Sequence, residues 1–223
     1  MDKVIFWDFD GTLVYPNTRF VDALDLSLKK FGYHIDRDAL TAYLKSAYPW
    51  LNYEISYQNQ TDKWWDTLLE KLRPLYDDNK IACTDKDKIN ASFKDTIVNV
   101  YDYVLYPDTQ RVLDKCIELG YKNYILSNNY PELDKQVEAC NLTKYFSDII
   151  VSSKVGFEKP RKELFDYAKK VANCTDGIMV GDNPIADVLG AKQNGLKTVL
   201  VHNKCESVAD YYFDCLEEIL SIL

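Results

Sequence analysis

Short, uninterrupted apolar runs that end in polar residues are the feature that most constrains how this chain can fold. They occupy residues 4–7, 124–126, 149–151, 177–180 and 198–201. Such runs are typical of strands that are buried on both faces, as in a parallel sheet. Helical patterns of about ten residues lie between them, which indicates β-α-β units. We therefore predict an α/β fold with a doubly wound, mainly parallel sheet.

A different pattern fills residues 15–104, which contain no run that resembles a buried strand. This segment holds three of the four tryptophans of the chain, and helical patterns extend over residues 20–31 and 64–75. We predict that residues 1–14 and 105–223 form the α/β core and that residues 15–104 form an inserted, mostly helical domain. The clustered aromatic residues are expected to form the hydrophobic core of that inserted domain rather than a ligand site.

The composition argues against several classes of partner. The formal net charge is -8 and the isoelectric point is about 4.9, so the surface repels phosphate backbones and anionic lipids, and we expect neither nucleic-acid nor membrane binding. The six cysteines form no CxxC pair and no dense disulfide pattern. Together with an N-terminal apolar run that is too short for a signal peptide, they predict a cytoplasmic protein with reduced cysteines.

Polar side chains cluster where the predicted strands end, and a lysine lies in a loop between two of them. They are Asp8 and Asp10, Ser127 and Asn128, Lys159, and Asp182 and Asp187. In open α/β sheets, ligands bind beyond the carboxyl ends of the strands. Carboxylates that meet there repel one another unless a hard cation with oxygen ligands binds them, and Mg²⁺ is the usual ion beside phosphate. Both histidines are isolated in the sequence, which argues against a nitrogen-ligated zinc site.

These residues resemble, in order, the four motifs of haloacid dehalogenase (HAD) superfamily phosphohydrolases, in the phosphoglycolate phosphatase and haloacid dehalogenase-like subgroup. The first motif is matched by Asp8-Phe9-Asp10-Gly11-Thr12, the second by Ser127, the third by Lys159 before Pro160, and the fourth by Gly181-Asp182 through Asp187. Each motif alone is weak, but four in order are specific. The resemblance covers residues 1–14 and 105–223, and it implies a Rossmann-like HAD core with residues 15–104 as a helical cap.

The resemblance also implies a role for each residue. Asp8 would attack phosphorus and form an aspartyl-phosphate, and Asp10 would act as general acid and then as general base. Phosphate oxygens would be bound by Ser127, the main-chain amide of Asn128 and Lys159. Mg²⁺ would be held by the carboxylates of Asp8 and Asp182 and the main-chain carbonyl of Asp10. Asp187 would support Lys159 and the metal site, and Thr12 would orient the first loop.

Asp10 separates the reactions within this family, because a halide leaves without a proton and dehalogenating members lack the second acidic residue. The sequence therefore favours Mg²⁺-dependent hydrolysis of a small phosphorylated metabolite over dehalogenation. Two alternatives remain open, namely a phosphomutase on the same fold and a phosphoacceptor signalling domain without turnover. The resemblance implies phosphoglycolate, sugar phosphates and nucleoside monophosphates as candidate substrates, and the aromatic-rich insertion slightly favours a ring-bearing one.

Overall fold

The computed structural model describes residues 3–100 and 102–223, and it contains a six-stranded sheet. The strands are β1 (Lys3–Trp7), β2 (Tyr121–Ser127), β3 (Phe146–Val151), β4 (Ile178–Gly181), β5 (Lys197–Val201) and β6 (Tyr211–Phe213). Their order is β3-β2-β1-β4-β5-β6, and every neighbouring pair is parallel. The predicted α/β class with a parallel sheet is confirmed.

Strand β1 shows why its apolar run is continuous. Ile5 and Trp7 pack into one hydrophobic cluster, whereas Val4 and Phe6 pack into a second cluster on the opposite face. Successive side chains of a strand point to opposite faces, so a strand that is covered on both sides needs apolar residues at every position. Helices therefore cover both faces of this sheet, as the doubly wound arrangement requires.

The helices complete the two layers and the inserted segment. They are α1 (Arg19–Lys30), α2 (Arg37–Ala47), α3 (Trp64–Glu70), α4 (Arg73–Asp78), α5 (Cys83–Asn99), α6 (Thr109–Glu118), α7 (Leu133–Ala139), α8 (Ser152–Val155), α9 (Lys162–Ala172) and α10 (Gly190–Gln193). Short 3₁₀ segments cover Thr61–Lys63, Thr143–Tyr145 and Leu216–Ile222, and a π-helical segment covers Pro184–Leu189. Within the described residues, no helix has the length and apolar composition needed to cross a bilayer.

The chain divides into two compact units. One consists of the residues up to Asn17 together with Tyr103–Leu223 and contains the whole sheet; the other is Thr18–Asp102 and contains α1 to α5. In the helical unit, Trp64 and Trp65 are buried, as expected of core residues. The single helix predicted over residues 64–75 is wrong, because α3 ends at Glu70 and α4 begins at Arg73. Pro74 lies in the first turn of α4, where its missing N–H leaves no helical hydrogen bond unmade.

Strand β6 was absent from the sequence prediction. It is only three residues long, it lies at the edge of the sheet and pairs with β5 alone, and all three of its residues are at least partly exposed. The run Tyr211-Tyr212-Phe213 has no aliphatic residue and two of its side chains carry a hydroxyl group, so it does not resemble the aliphatic runs of the buried strands.

Candidate active site

Three adjacent strands bring the predicted residues to one edge of the sheet. Trp7, the last residue of β1, pairs with Ile125 of β2 and Val180 of β4, so these strands end at nearly the same level. Asp8 follows β1, and its main-chain N–H donates to the carbonyl of Val180 at 2.9 Å. Ser127 is the last residue of β2, and Asp182 follows β4 directly. The side chains named from the sequence therefore lie at neighbouring carboxyl ends, where ligands bind in parallel sheets.

Lys159 is the centre of the polar contacts at this edge and is 1 % exposed. Its Nζ lies 2.6 Å from Oδ1 of Asp187 and 2.9 Å from Oδ1 of Asp8. It also donates to the carbonyl oxygen of Leu126 at 2.7 Å. An ammonium group has three N–H donors, so these three oxygens can accept all of them.

The charge state of Lys159 follows from two opposing effects. Burial by itself lowers the pKa of this lysine, but the carboxylates of Asp187 and Asp8 raise the pKa above its ordinary value. The side chain is therefore a fixed buried cation that holds two carboxylates together.

Two side chains position this cation. Asp187 lies on the π-helical segment, and its second oxygen accepts a hydrogen bond from the main-chain N–H of Asn183 at 2.9 Å. The Asn128 side chain makes a pair of hydrogen bonds with the main chain of Lys159, donating to its carbonyl at 2.9 Å and accepting from its N–H at 2.7 Å. The amide side chain of Asn128 is thus used in positioning Lys159.

Glycines allow the acidic side chains to approach the loops this closely. A Cβ atom on Gly181 would lie 2.1 Å from Oδ2 of Asp187, and one on Gly11 would lie 2.4 Å from Oδ2 of Asp182. Gly11 also has a φ of +78°, which side-chain-bearing residues rarely adopt. The glycine of the first motif therefore makes room for the aspartate of the fourth.

Three carboxylates, those of Asp8, Asp182 and Asp187, each offer an oxygen within 4.8 Å of the others. Burial, followed by the charges of Asp187 and Asp8, raises the pKa of Asp182 to about 8. Three carboxylates face a single ammonium group here, so full ionisation would leave an excess of negative charge. Oxygen ligands with excess negative charge are a donor set that suits Mg²⁺. Because both oxygens of Asp187 already accept hydrogen bonds, Asp8 and Asp182 are the carboxylates best suited to hold a metal ion.

The raised pKa of Asp182 gives the metal-free protein a specific pH dependence. Between the ordinary pKa of 3.8 and the value of about 8 in the fold, the folded protein holds a proton that the unfolded chain has lost. We therefore expect the free energy of unfolding to fall as pH rises through this range, by up to about 1.4 kcal/mol per pH unit. Mg²⁺ binds the ionised carboxylate, so its stabilising effect should be larger at pH 8 than at pH 5. Thermal unfolding in EDTA and in Mg²⁺ at both pH values measures this, and a metal effect that shrinks with rising pH would contradict it.

Asp10 is held by different groups from those that surround Lys159. Its Oδ2 accepts a hydrogen bond from Nδ2 of Asn129 at 2.7 Å, and its Oδ1 accepts one from Nδ2 of Asn17 at 2.9 Å. The sequence predicted no role for either asparagine. Asn129 could have been found, because it continues the polar stretch after β2, whereas Asn17 lies in a loop that carries no such signal.

Thr12 has a completely buried side chain, and its hydroxyl has no hydrogen-bond partner among the described residues. The loop that contains it is closed by main-chain hydrogen bonds from Gly11 to Val14 at 2.9 Å and from Leu13 to Phe9 at 3.0 Å. Main-chain contacts therefore set the shape of this loop.

Comparisons with known proteins agree with the motifs. A model of the haloacid dehalogenase-like hydrolase family matches residues 3–195. The chain is 24% identical over 213 residues to haloacid dehalogenase-like hydrolase domain-containing protein 3 of Xenopus laevis, covering 91% of this chain and 85% of that protein. It is 28% identical over 204 residues to a glyceraldehyde 3-phosphate phosphatase of Pyrococcus abyssi, covering 89% of this chain and 81% of the relative.

A solved structure shows the same fold. The HAD-hydrolase YfnB of Bacillus subtilis, described as bound to magnesium, superimposes with a TM-score of 0.76 at 19% identity, covering 100% of this chain and 98% of that one. The family match extends over most of the sequence and includes the residues of all four motifs. The chain therefore belongs to the haloacid dehalogenase-like hydrolase family.

Proposed function

We propose that this protein is a Mg²⁺-dependent phosphomonoester hydrolase that acts on a small phosphorylated metabolite. Such hydrolysis is typical of the family, and phosphatases are among the relatives of the chain. The observation that carries the proposal is that two aspartates close together in the sequence have different partners. Asp8 lies against the buried ammonium group of Lys159, whereas Asp10, two residues later, is held by two amide groups. This separation supports Asp8 as the nucleophile and Asp10 as the acid and base.

In the first step, an oxygen of the Asp8 carboxylate forms a bond to phosphorus. The bond between phosphorus and the ester oxygen breaks, and its electron pair stays on the departing oxygen. Asp10 in its protonated form donates its proton to that oxygen, so the alcohol leaves and Asp10 becomes a carboxylate. Proton donation of this kind contributes roughly 10² to 10⁴ in rate. The product of this step is an aspartyl-phosphate on Asp8.

In the second step, the Asp10 carboxylate removes a proton from a water molecule whose oxygen attacks phosphorus. The bond between phosphorus and Asp8 breaks, phosphate leaves, and both aspartates return to their starting states. One residue therefore serves as acid in the first step and as base in the second.

Phosphate carries negative charge through both steps, and the chain supplies groups that bind it. In the proposal, the hydroxyl of Ser127 and the main-chain N–H of Asn128 donate to its oxygens. Lys159 turns the N–H that Asp8 accepts in the free protein toward the phosphate, and Asp187 keeps Lys159 in place. The carboxylates of Asp8 and Asp182 and the main-chain carbonyl of Asp10 would hold Mg²⁺, which neutralises charge on the phosphate when bound. Thr12 belongs to the loop that carries both aspartates.

We assign residues 15–104 the role of a cap that selects the substrate, and residues 1–14 and 105–223 that of the catalytic core. The relative from Pyrococcus abyssi, named for a small phosphorylated aldehyde, supports a metabolite of that class as substrate. The acidic net charge and the six free cysteines support a cytoplasmic enzyme that binds neither nucleic acid nor membranes.

The test is phosphate release from a panel of phosphorylated metabolites, assayed with Mg²⁺ and with EDTA. The panel contains phosphoglycolate, triose and hexose phosphates, and nucleoside monophosphates. We expect turnover of at least one compound in Mg²⁺ and none in EDTA. Transfer of the phosphoryl group to a second position of the substrate would identify a phosphomutase instead. A long-lived phosphoaspartate without turnover would identify a phosphoacceptor domain.

A further inference from the structure

We propose that Asn129 is a positioning residue, which aims the carboxyl group of Asp10 at the leaving oxygen of the substrate. The inference rests on the proposed function, because it assigns Asn129 a part in the proton transfer by Asp10. Its basis is the hydrogen bond from Nδ2 of Asn129 to Oδ2 of Asp10, at 2.7 Å.

The orientation of the Asn129 side chain is determined by its own neighbours. Its Oδ1 accepts a hydrogen bond from the main-chain N–H of Tyr130 at 3.0 Å. A main-chain N–H can only donate, so the oxygen must face Tyr130 and the nitrogen must face Asp10. The main-chain N–H of Asn129 donates in turn to Oγ of the buried Ser152 at 3.2 Å. Side chain and main chain of Asn129 are therefore both fixed.

Burial distinguishes Asn129 from the second amide on Asp10. Asn129 is 6% exposed, whereas Asn17 is exposed. Water can replace an exposed donor at little cost, but it reaches the place of a buried donor less readily. We therefore expect Asn129 to determine the direction of the Asp10 side chain and Asn17 to contribute less.

Position matters because Asp10 must reach the leaving oxygen at hydrogen-bond distance. A displacement of about 1 Å can cost about 10²-fold in rate. This loss in rate applies to substrates whose leaving group needs a proton. An alkyl phosphate needs one, but p-nitrophenyl phosphate releases a stable phenolate that does not. The two substrates share the attack by Asp8 and the binding of phosphate.

The experiment compares Asn129→Ala with the unchanged protein on p-nitrophenyl phosphate and on the best alkyl phosphate of the panel. The measured quantity is kcat/KM, which covers the steps up to departure of the leaving group. We expect a decrease of about 10- to 100-fold for the alkyl phosphate and little change for p-nitrophenyl phosphate. The ratio of the two values does not depend on the folded fraction of a preparation. Asn17→Ala should change the same ratio by a smaller factor.

A double-mutant cycle tests whether Asn129 acts through Asp10. If it does, adding Asn129→Ala to Asp10→Asn should lower kcat/KM for the alkyl phosphate no further than Asp10→Asn alone. Equal losses on both substrates, or additive losses in the cycle, would overturn the inference and assign Asn129 a structural role. Failure of the proposed function would look different, because the unchanged protein would then release phosphate from neither substrate.

Discussion

Replacement of Asp8 by asparagine is expected to lower kcat by at least about 10⁴-fold while the protein stays folded. Removal of the nucleophilic side chain of another hydrolase costs about 2 × 10⁶ in kcat, and an amide oxygen is a far weaker nucleophile than a carboxylate. The asparagine has nearly the same shape and can still accept a hydrogen bond from Lys159, so the surrounding structure should be retained. Steady-state phosphate release in Mg²⁺ measures the loss, and circular dichroism checks the fold.

Asp148→Asn provides the matched control for this variant. Asp148 lies on strand β3 of the same sheet, but its side chain is exposed and accepts a hydrogen bond from its own neighbour Ile149. The same chemical change at this position should leave turnover unchanged. An Asp8→Asn protein that retains more than about one hundredth of the original kcat would show that Asp8 is not the nucleophile.

Replacement of Lys159 by methionine should have the largest effect on stability. The methionine keeps much of the volume but leaves Asp8, Asp187 and the carbonyl of Leu126 without their shared donor. Loss of one partner from a buried ion pair typically costs about 3 to 5 kcal/mol. We expect a decrease of this size in the free energy of unfolding, measured by urea denaturation at pH 7 in EDTA.

The same variant should respond to pH in a predictable direction. In the unchanged protein Lys159 lowers the pKa of Asp187, although burial raises it overall. Without the lysine that pKa rises further, so the folded variant gains stability as pH falls and the carboxyl group takes up a proton. The loss should therefore be smaller at pH 5 than at pH 7.

Lys162→Met serves as the comparison for Lys159→Met. The side chain of Lys162 is 70% exposed and forms an ion pair with Asp166 on the surface. Exposed pairs contribute about 0 to 1 kcal/mol, so this variant should be almost as stable as the unchanged protein. Similar losses for the two variants would mean that the buried contacts of Lys159 do not stabilise the fold.

The sequence predicted the strands that are buried on both faces, because such burial requires an uninterrupted run of apolar residues. Strand β1 is covered on both faces, and this demands the apolar run from Val4 to Trp7 that was recognised. Polar residues after such a strand then fall at the carboxyl edge by geometry alone, which is why Asp8 and Asp182 could be named. Strand β6 shows no aliphatic run of this kind, because all three of its residues are at least partly exposed.

The sequence did not predict which groups each site side chain faces. Nothing in the spacing of Asp8 and Asp10 shows that one faces an ammonium group and the other faces two amides. The bond between Asn129 and Asp10 joins residues far apart in the chain, and local patterns carry no information on such a pair. The resemblance to a family supplied the expected roles, but it did not identify the asparagines that hold the second aspartate.

The order of the strands has a consequence for folding during synthesis on the ribosome. Strand β1 is made first, yet it lies in the sheet between β2 and β4, and β4 ends only at Gly181. The helical unit is continuous from Thr18 to Asp102 and has all its residues much earlier. Asp8 therefore stays beside an unpaired edge of β1 until β4 has been synthesised. A nascent chain that stops before β4 contains Asp8 but lacks Asp182 and Asp187, so the three carboxylates can come together only after β4 has been made.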